Sequence, residues 1–363
     1  MNKIANRIFL IAILVALVIS CERPSEGSLK AGEHIAQTVV AVSETSPTPR
    51  KKNDDSADDP AIWINRENPE ASVIIGTDKK GGLATYNLDG KLLNYYEVGK
   101  MNNCDLRYDF VLGADTIDIL AASNRSTHSL SLYKISEGGV LDSIHSRTIK
   151  SEMTDDVYGL CMYKSPVTGK YFVFMNSKAG EVEQWELVAD GQLVDAKLVR
   201  SFSVETQTEG MVADDSCAVV YLGEEVAGIH KFEAEPNGST QGTFLAMSSA
   251  ENPDIHYDIE GLTIYPTDSL NGYLIASSQG SYSYAVFERQ GDNKYLGSFR
   301  IVDGNIDGAE ETDGIDVTPV ALGTAYPKGM FVVQDGFNYE GKKLTSQNYK
   351  MISWADIESF FEK

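Results

Sequence analysis

Four short segments share one form, in which a polar residue is followed by glycine and a large apolar residue: YGL at 158–160, EGM at 209–211, EGL at 260–262 and DGI at 313–315. Their leading residues, Tyr158, Glu209, Glu260 and Asp313, follow one another at intervals of 51, 51 and 53 residues. Counting back 53 from Tyr158 reaches Asp105, and a further 46 or 47 reaches the pair Asp58-Asp59 in DDPAIW. Asp258 stands two residues before Glu260 and adds a second acid there. Carboxylates that recur at one phase of a repeat are gathered in one place by the fold, and gathered carboxylates bind hard cations.

A second series runs in step with the first. It consists of polar, often glycine-bearing loops such as TDKKGGLATYNL, SNRSTHSLSLYKI and NSKAGEVEQWEL. Loops of the first three units carry Lys79, Lys80, Arg125 and Lys178, whereas those of the last three carry Glu225, Gln279 and Asp335. Asp307 lies in the acidic stretch DGNIDGAEETDG just before the last motif.

The elements that must hold these residues follow from the period. Each unit has an apolar run, a polar loop and an alternating strand with an aromatic, namely Tyr86, Tyr133, Trp185, Phe232 or Phe287. Strand-period alternation broken by glycine turns leaves little room for helix. The expected fold is all-β, a six-bladed propeller of four-stranded antiparallel blades. The segment QTVVAVSET, 37–45, is expected to pair with the last blade and close the ring. In a four-stranded meander, the start of strand one and the turn from strand two to strand three share one end. Both series therefore meet at one mouth of the central channel, basic on one side and acidic on the other.

Composition agrees with such a site. The 363 residues include 31 Lys and Arg against 53 Asp and Glu, a formal charge of −22 that excludes a nucleic-acid surface. Two unit charges 4 Å apart repel by roughly 4 kcal/mol at an effective dielectric near 20, so six or more clustered carboxylates call for several cations. An all-oxygen ligand set favours Ca²⁺ over zinc, and the five histidines are scattered. Calcium beside a lysine-arginine arc fits a phosphate ester, which bridges both, with water activated by metal as nucleophile. No Cys-x5-Arg loop, Arg-His-Gly segment, Asp-x-Asp-x-Thr nucleophile or P-loop offers another phosphatase chemistry. Two other readings stay open. One is a non-catalytic, calcium-stabilised propeller that binds a ligand. The other is a lactonase-type six-bladed hydrolase, which needs fewer acids and no basic arc.

The N-terminus reads as a processing segment. Lys3 and Arg7 precede the apolar core IFLIAILVALVIS, which ends in VISC and resembles a bacterial lipobox. Residues 1–20 are expected to be a lipoprotein signal peptide, Cys21 the lipidated residue, 21–36 a polar tether and 37–363 the propeller. The expected setting is an exported bacterial lipoprotein, periplasmic or on the cell surface, that meets the membrane only through its anchor. Cys104, Cys161 and Cys217 are expected to be buried free thiols.

DDPAIW, TDKKGGLATYNLDGK, NNCDLRYDF, ASNRS, VYGL, QTEGM, DIEGLTIY, ASSQGSYSYAVFERQG, TDGIDV and QDG together resemble the β-propeller phytases of bacteria, over nearly the whole mature chain. The resemblance implies a calcium-dependent phosphomonoesterase of the 3-phytase type, acting as a monomer on phytate (myo-inositol hexakisphosphate) or its calcium complex. It implies calcium ligands at Asp58, Asn103, Glu209, Glu225, Asp258, Glu260, Asp307 and Asp313, with Glu209 and Glu260 positioning the metals and their water. Lys79, Arg125, Tyr158 and Lys178 would hold the phosphate being cleaved and Lys80 a neighbouring one. Asp335 and Asn338 would hold a structural calcium in the channel. The chain departs from the family pattern at Ala179, where an acid is common, at His256-Tyr257, where Thr-Pro is frequent, and at Cys104, a valine position. Asp59, before Pro60, is expected to cap a turn and support the site.

Overall fold

A computed structural model describes residues 32–49 and 55–361. The expected signal peptide, Cys21 and the expected tether up to residue 31 lie outside the described residues. Six antiparallel sheets form the blades of a propeller. Blade one comprises Ala57–Trp63, Val73–Asp78, Gly82–Asn87 and Leu92–Tyr96. Blades two to five repeat this order, with innermost strands Met101–Leu112, Val157–Lys164, Thr208–Asp214 and Ile259–Pro266. Blade six begins with Ile315–Thr318. These first strands line a central cavity of about 510 Å³.

An innermost strand leaves one edge of N–H groups without a sheet partner, and such groups need acceptors when buried. Carboxylates from adjacent blades supply them. Asp59 Oδ2 accepts from the Cys104 N–H at 3.0 Å, Asp105 Oδ2 from Met162 at 2.8 Å, and Asp316 Oδ2 from Ile62 at 2.8 Å. Asp105 therefore staples blade two to blade three inside the channel, where Arg107 also pairs with it at 2.9 Å, and is not a mouth acid. Asp59 likewise works as a staple between blades one and two.

Six apolar clusters fill the six interfaces between blades. The five repeated aromatics all lie on third strands and are buried, as their phase requires. Cys104 and Cys161 are buried and free, and Cys217 is half-buried.

Ring closure is divided between two blades. Gln37–Val40 adds a fifth strand to blade five, parallel to Tyr295–Val302, whereas Ser43–Glu44 forms the outer strand of blade six, antiparallel to Asn348–Ser353. The expected pairing with the last blade is thus made by the second half of the segment alone. Of the residues expected in the tether, Ile35 is buried and His34 Nε2 lies 3.1 Å from Asp254 Oδ1.

Candidate active site

Two repeated features of the backbone build the mouth. The first is a bulge at the start of five innermost strands, where pairing skips from Ala57 to Pro60, Met101 to Cys104, Val157 to Leu160, Thr208 to Met211 and Ile259 to Leu262. Bulges re-aim side chains and concentrate near active sites. Here the bulge residues Asp58, Asn102, Tyr158, Glu209 and Glu260, together with Asp313 of blade six, form an inner ring. Polar residues of the second strands fix it. Thr77 donates to the Asn102 carbonyl, Ser123 to that of Tyr158 and Asn176 to that of Glu209. The ring member of blade two is therefore Asn102, a residue sequence reasoning missed, and not Asp105 or Asn103.

The glycine after four of the six ring residues, Tyr158, Glu209, Glu260 and Asp313, lets neighbouring blades touch. A Cβ at Gly159 would stand 1.7 Å from the Glu209 carbonyl oxygen, and one at Gly210 would stand 2.0 Å from that of Glu260. Gly159→Ala should therefore destabilise the protein by about 1–3 kcal/mol, the usual cost of overpacking. A denaturant midpoint equal to wild type would refute this account of the motif.

The second feature is a hydrogen bond from the turn between strands two and three to the residue two before the ring position. Lys79 N–H donates to Ser56, Arg125 to Lys100, Lys178 to Asp156, Glu225 to Gln207 and Gln279 to Asp258. These five side chains are thus equivalent by blade and form an outer ring. Cations occupy it in blades one to three, a carboxylate in blade four and an amide in blade five.

The acidic half is crowded and largely buried. Carboxylate oxygens of Glu209, Glu225 and Glu260 lie within 4.8 Å of one another, and all three residues are buried. Gln207 Nε2 donates to Glu225 at 2.7 Å, and Gln279 Nε2 donates to Asp313 at 2.7 Å. Burial, then Glu209, pushes Glu225 up to about 7 and holds Asp58 and Glu260 well above the carboxylate range. The same two causes raise Asp258, while burial raises Asp313 to about 6 against the pull of Lys79. Among the described residues, buried Glu260 Oε2 has no hydrogen-bond partner, and buried Asp58 Oδ2 has none beyond its ion pair with Lys79 at 3.4 Å. An all-oxygen set with orphaned acceptors fits a hard divalent cation.

On the basic side, Lys79 Nζ lies 2.7 Å from Asp313, 2.9 Å from Asp55 and 3.4 Å from Asp58. Burial works against its charge, but Asp313, Asp58 and Asp55 outweigh it and keep its pKa well above the ordinary value. The Tyr158 ring is flanked by Arg125 Cζ at 5.5 Å and Lys178 Nζ at 4.4 Å from its centroid. Burial, then Glu209 and Glu260, drives its phenol pKa far up, so the hydroxyl remains a donor.

A family model described as Phytase matches residues 7–363. A relative, the 3-phytase of Bacillus subtilis (strain 168), is 44% identical over 355 residues, covering 96% of this chain and 92% of that protein. The chain belongs to the phytase family.

Other residues expected in this phytase site have partners of their own. Asp307, Asp335 and Asn338 gather around the fully buried Lys350. Its Nζ is 2.5 Å from Asp307, 3.3 Å from Asp335, 3.3 Å from Asn338 Oδ1 and 2.5 Å from Glu44. One ammonium stands there among three carboxylates and ties the outer strand of blade six to its interior. Asn103 sits one residue past the ring, where its Oδ1 accepts from Asn102 at 2.9 Å. Ala179 is exposed beside Lys178, and His256 is exposed two residues before Asp258.

Proposed function

We propose that this phytase-family chain hydrolyses the phosphate monoesters of phytate, using calcium held by the acidic half of the mouth. The observation that carries the reading is the outer ring, where one backbone position bears Lys79, Arg125 and Lys178 in three blades and Glu225 in the next. A phosphate laid across the mouth meets cations on one side and carboxylates on the other. Membership of the family and likeness to a protein named 3-phytase support the same substrate.

In this reading Lys79, Arg125 and Lys178 hold the phosphoryl oxygens through charge-assisted hydrogen bonds. Tyr158 keeps its proton and donates to the same group from between Arg125 and Lys178. Asp58, Glu209, Glu225, Asp258, Glu260 and Asp313 would hold several calcium ions. Bound calcium supplies Lewis acidity, drawing charge from phosphoryl oxygens and making water more acidic. Lys80, with 43% of its side chain exposed, is available to a neighbouring phosphate.

Each charge-assisted contact contributes about 1.5–3 kcal/mol, so a second phosphate at Lys80 favours vicinal polyphosphates by about one to two powers of ten. The purified protein should release phosphate from phytate with calcium, stop in excess chelator and leave an inositol trisphosphate with no vicinal phosphates. p-Nitrophenyl phosphate should be cleaved correspondingly less well. Equal efficiency on both substrates, or activity that survives chelation, would overturn the reading.

The leader supports a further proposal, that the chain is an exported bacterial lipoprotein anchored through Cys21. Cys21→Ser should leave the protein in the soluble fraction or unprocessed. Unchanged membrane fractionation of a mature Cys21→Ser form would exclude the anchor.

A further inference from the structure

Asn102 is completely buried at the ring position of blade two, and its side-chain amide touches both halves of the mouth. Nδ2 donates to Glu209 Oε1 at 2.6 Å and to Asn103 Oδ1 at 2.9 Å, and lies 3.3 Å from Asp58 Oδ1. Oδ1 accepts from Arg125 Nη1 at 3.2 Å. The main chain is held as well, through the Thr77 hydroxyl on the Asn102 carbonyl.

The chemistry of the position selects a short amide. A carboxylate could accept from Arg125, but it could not donate to Glu209 and would add negative charge beside Asp58 and Glu209. An aliphatic side chain would serve neither partner. An amide carries a donor and an acceptor on one rigid plane, so the bond to one partner orients the bond to the other.

Arg125 depends on this contact. Among the described residues its Nε is buried without a hydrogen-bond partner, its Nη2 pairs with Asp156 at 3.4 Å, a carboxylate with 55% of its side chain exposed, and its Cζ lies 5.5 Å from the Tyr158 ring centroid. A surface ion pair of that kind holds geometry weakly. The fully buried hydrogen-bond acceptor of the guanidinium is Asn102 Oδ1.

We infer that Asn102 is a positioning residue for the hydrolysis, setting the Arg125 guanidinium and the Glu209 carboxylate in fixed register so that the phosphate-holding and metal-holding halves meet one substrate. The inference rests on the reading of the mouth proposed above. Asn102 itself need not touch substrate, because it acts through its two partners.

A double-mutant cycle tests this in the calcium-saturated full chain. The probe is myo-inositol hexasulfate, a polyanion with no phosphate ester to cleave, and binding is read by calorimetry. Asn102→Ala should weaken hexasulfate binding about tenfold in the wild-type background and less than about twofold in an Arg125→Ala background, because the partner it positions is gone. A merely structural role would give the same loss in both backgrounds, and that result overturns the inference while leaving the basic arc intact. If Arg125→Ala alone binds hexasulfate as tightly as wild type, the reading of the arc falls and the inference with it. Should Asn102→Ala not fold, the cycle is repeated with Asn102→Ser, a small polar replacement for which the same coupling is expected and the same additivity decides against it.

Discussion

Replacing Glu260 by glutamine should abolish phosphate release and, at the same time, raise the melting temperature of the calcium-free protein. Glu260 is buried in the inner ring, its oxygens gathered with those of Glu209 and Glu225, and Oε2 has no partner. Burial first, then Glu209 and Glu225, makes ionisation costly there. Glutamine keeps the shape and removes the charge, so the calcium-free protein loses a repulsion. The same charge is what a bound cation needs, and losing a preorganised electrostatic group of this kind typically costs 10²–10³-fold in turnover or more. The expected signature is opposite signs in two assays, phytate turnover and melting in chelator. Wild-type turnover in Glu260→Gln would remove the residue from the mechanism. A lower calcium-free melting temperature would show that the carboxylate is already neutralised within the chain.

The sequence makes the blade count and the acid ring legible for a steric reason. A neighbour's carbonyl passes where a Cβ would stand at Gly159 and Gly210, which requires glycine after the ring residue in blades three and four, whereas Asp59 and Asn103 follow it in blades one and two. The buried aromatics of the third strands keep the same phase because each fills one interface between blades. Ring closure was legible only in part. Nothing in QTVVAVSET marks the break after Val40, where the chain leaves the edge of blade five for that of blade six.

Within the site, the period misplaces blade two. The strand from Met101 to Leu112 carries a second irregularity between Arg107 and Phe110, and an acid count along it stops at Asp105, three residues beyond the ring. The true ring residue is an amide, which a search for carboxylates passes over, although the neighbouring NN pair was a visible signal. The group around Lys350 was hidden differently. Its cation sits in the strand NYKMIS, which reads as apolar core, while Asp307 and Asn338 come from loops whose course no repeat predicts. Lys79 combines two roles that sequence kept apart. It belongs by phase to the basic arc, yet in this structure its ammonium lies among Asp55, Asp58 and Asp313.

The other large effect concerns calcium and pH together. Without metal, burial and mutual repulsion raise the mouth carboxylates, with Asp313 near 6, Glu225 near 7, and Glu260 and Asp58 well above their ordinary range. A carboxylate whose folded pKa exceeds its unfolded value keeps its proton longer in the folded chain. The folded protein then binds more protons than the unfolded one from roughly pH 4.5 upward, so stability falls as pH rises through that window. The calcium-free melting temperature should therefore decline between about pH 5 and pH 8. Calcium needs the same groups ionised, so its stabilisation should grow as pH rises, reaching about 2.7 kcal/mol per site when calcium is a hundredfold above its dissociation constant. Calorimetry near pH 6 in two buffers of different ionisation heat should show protons released on calcium binding. A calcium-free melting temperature that climbs across this window, or equal melting with calcium and with chelator at its upper end, would mean that Lys79 and its neighbours already balance the mouth and that no calcium cluster is built there.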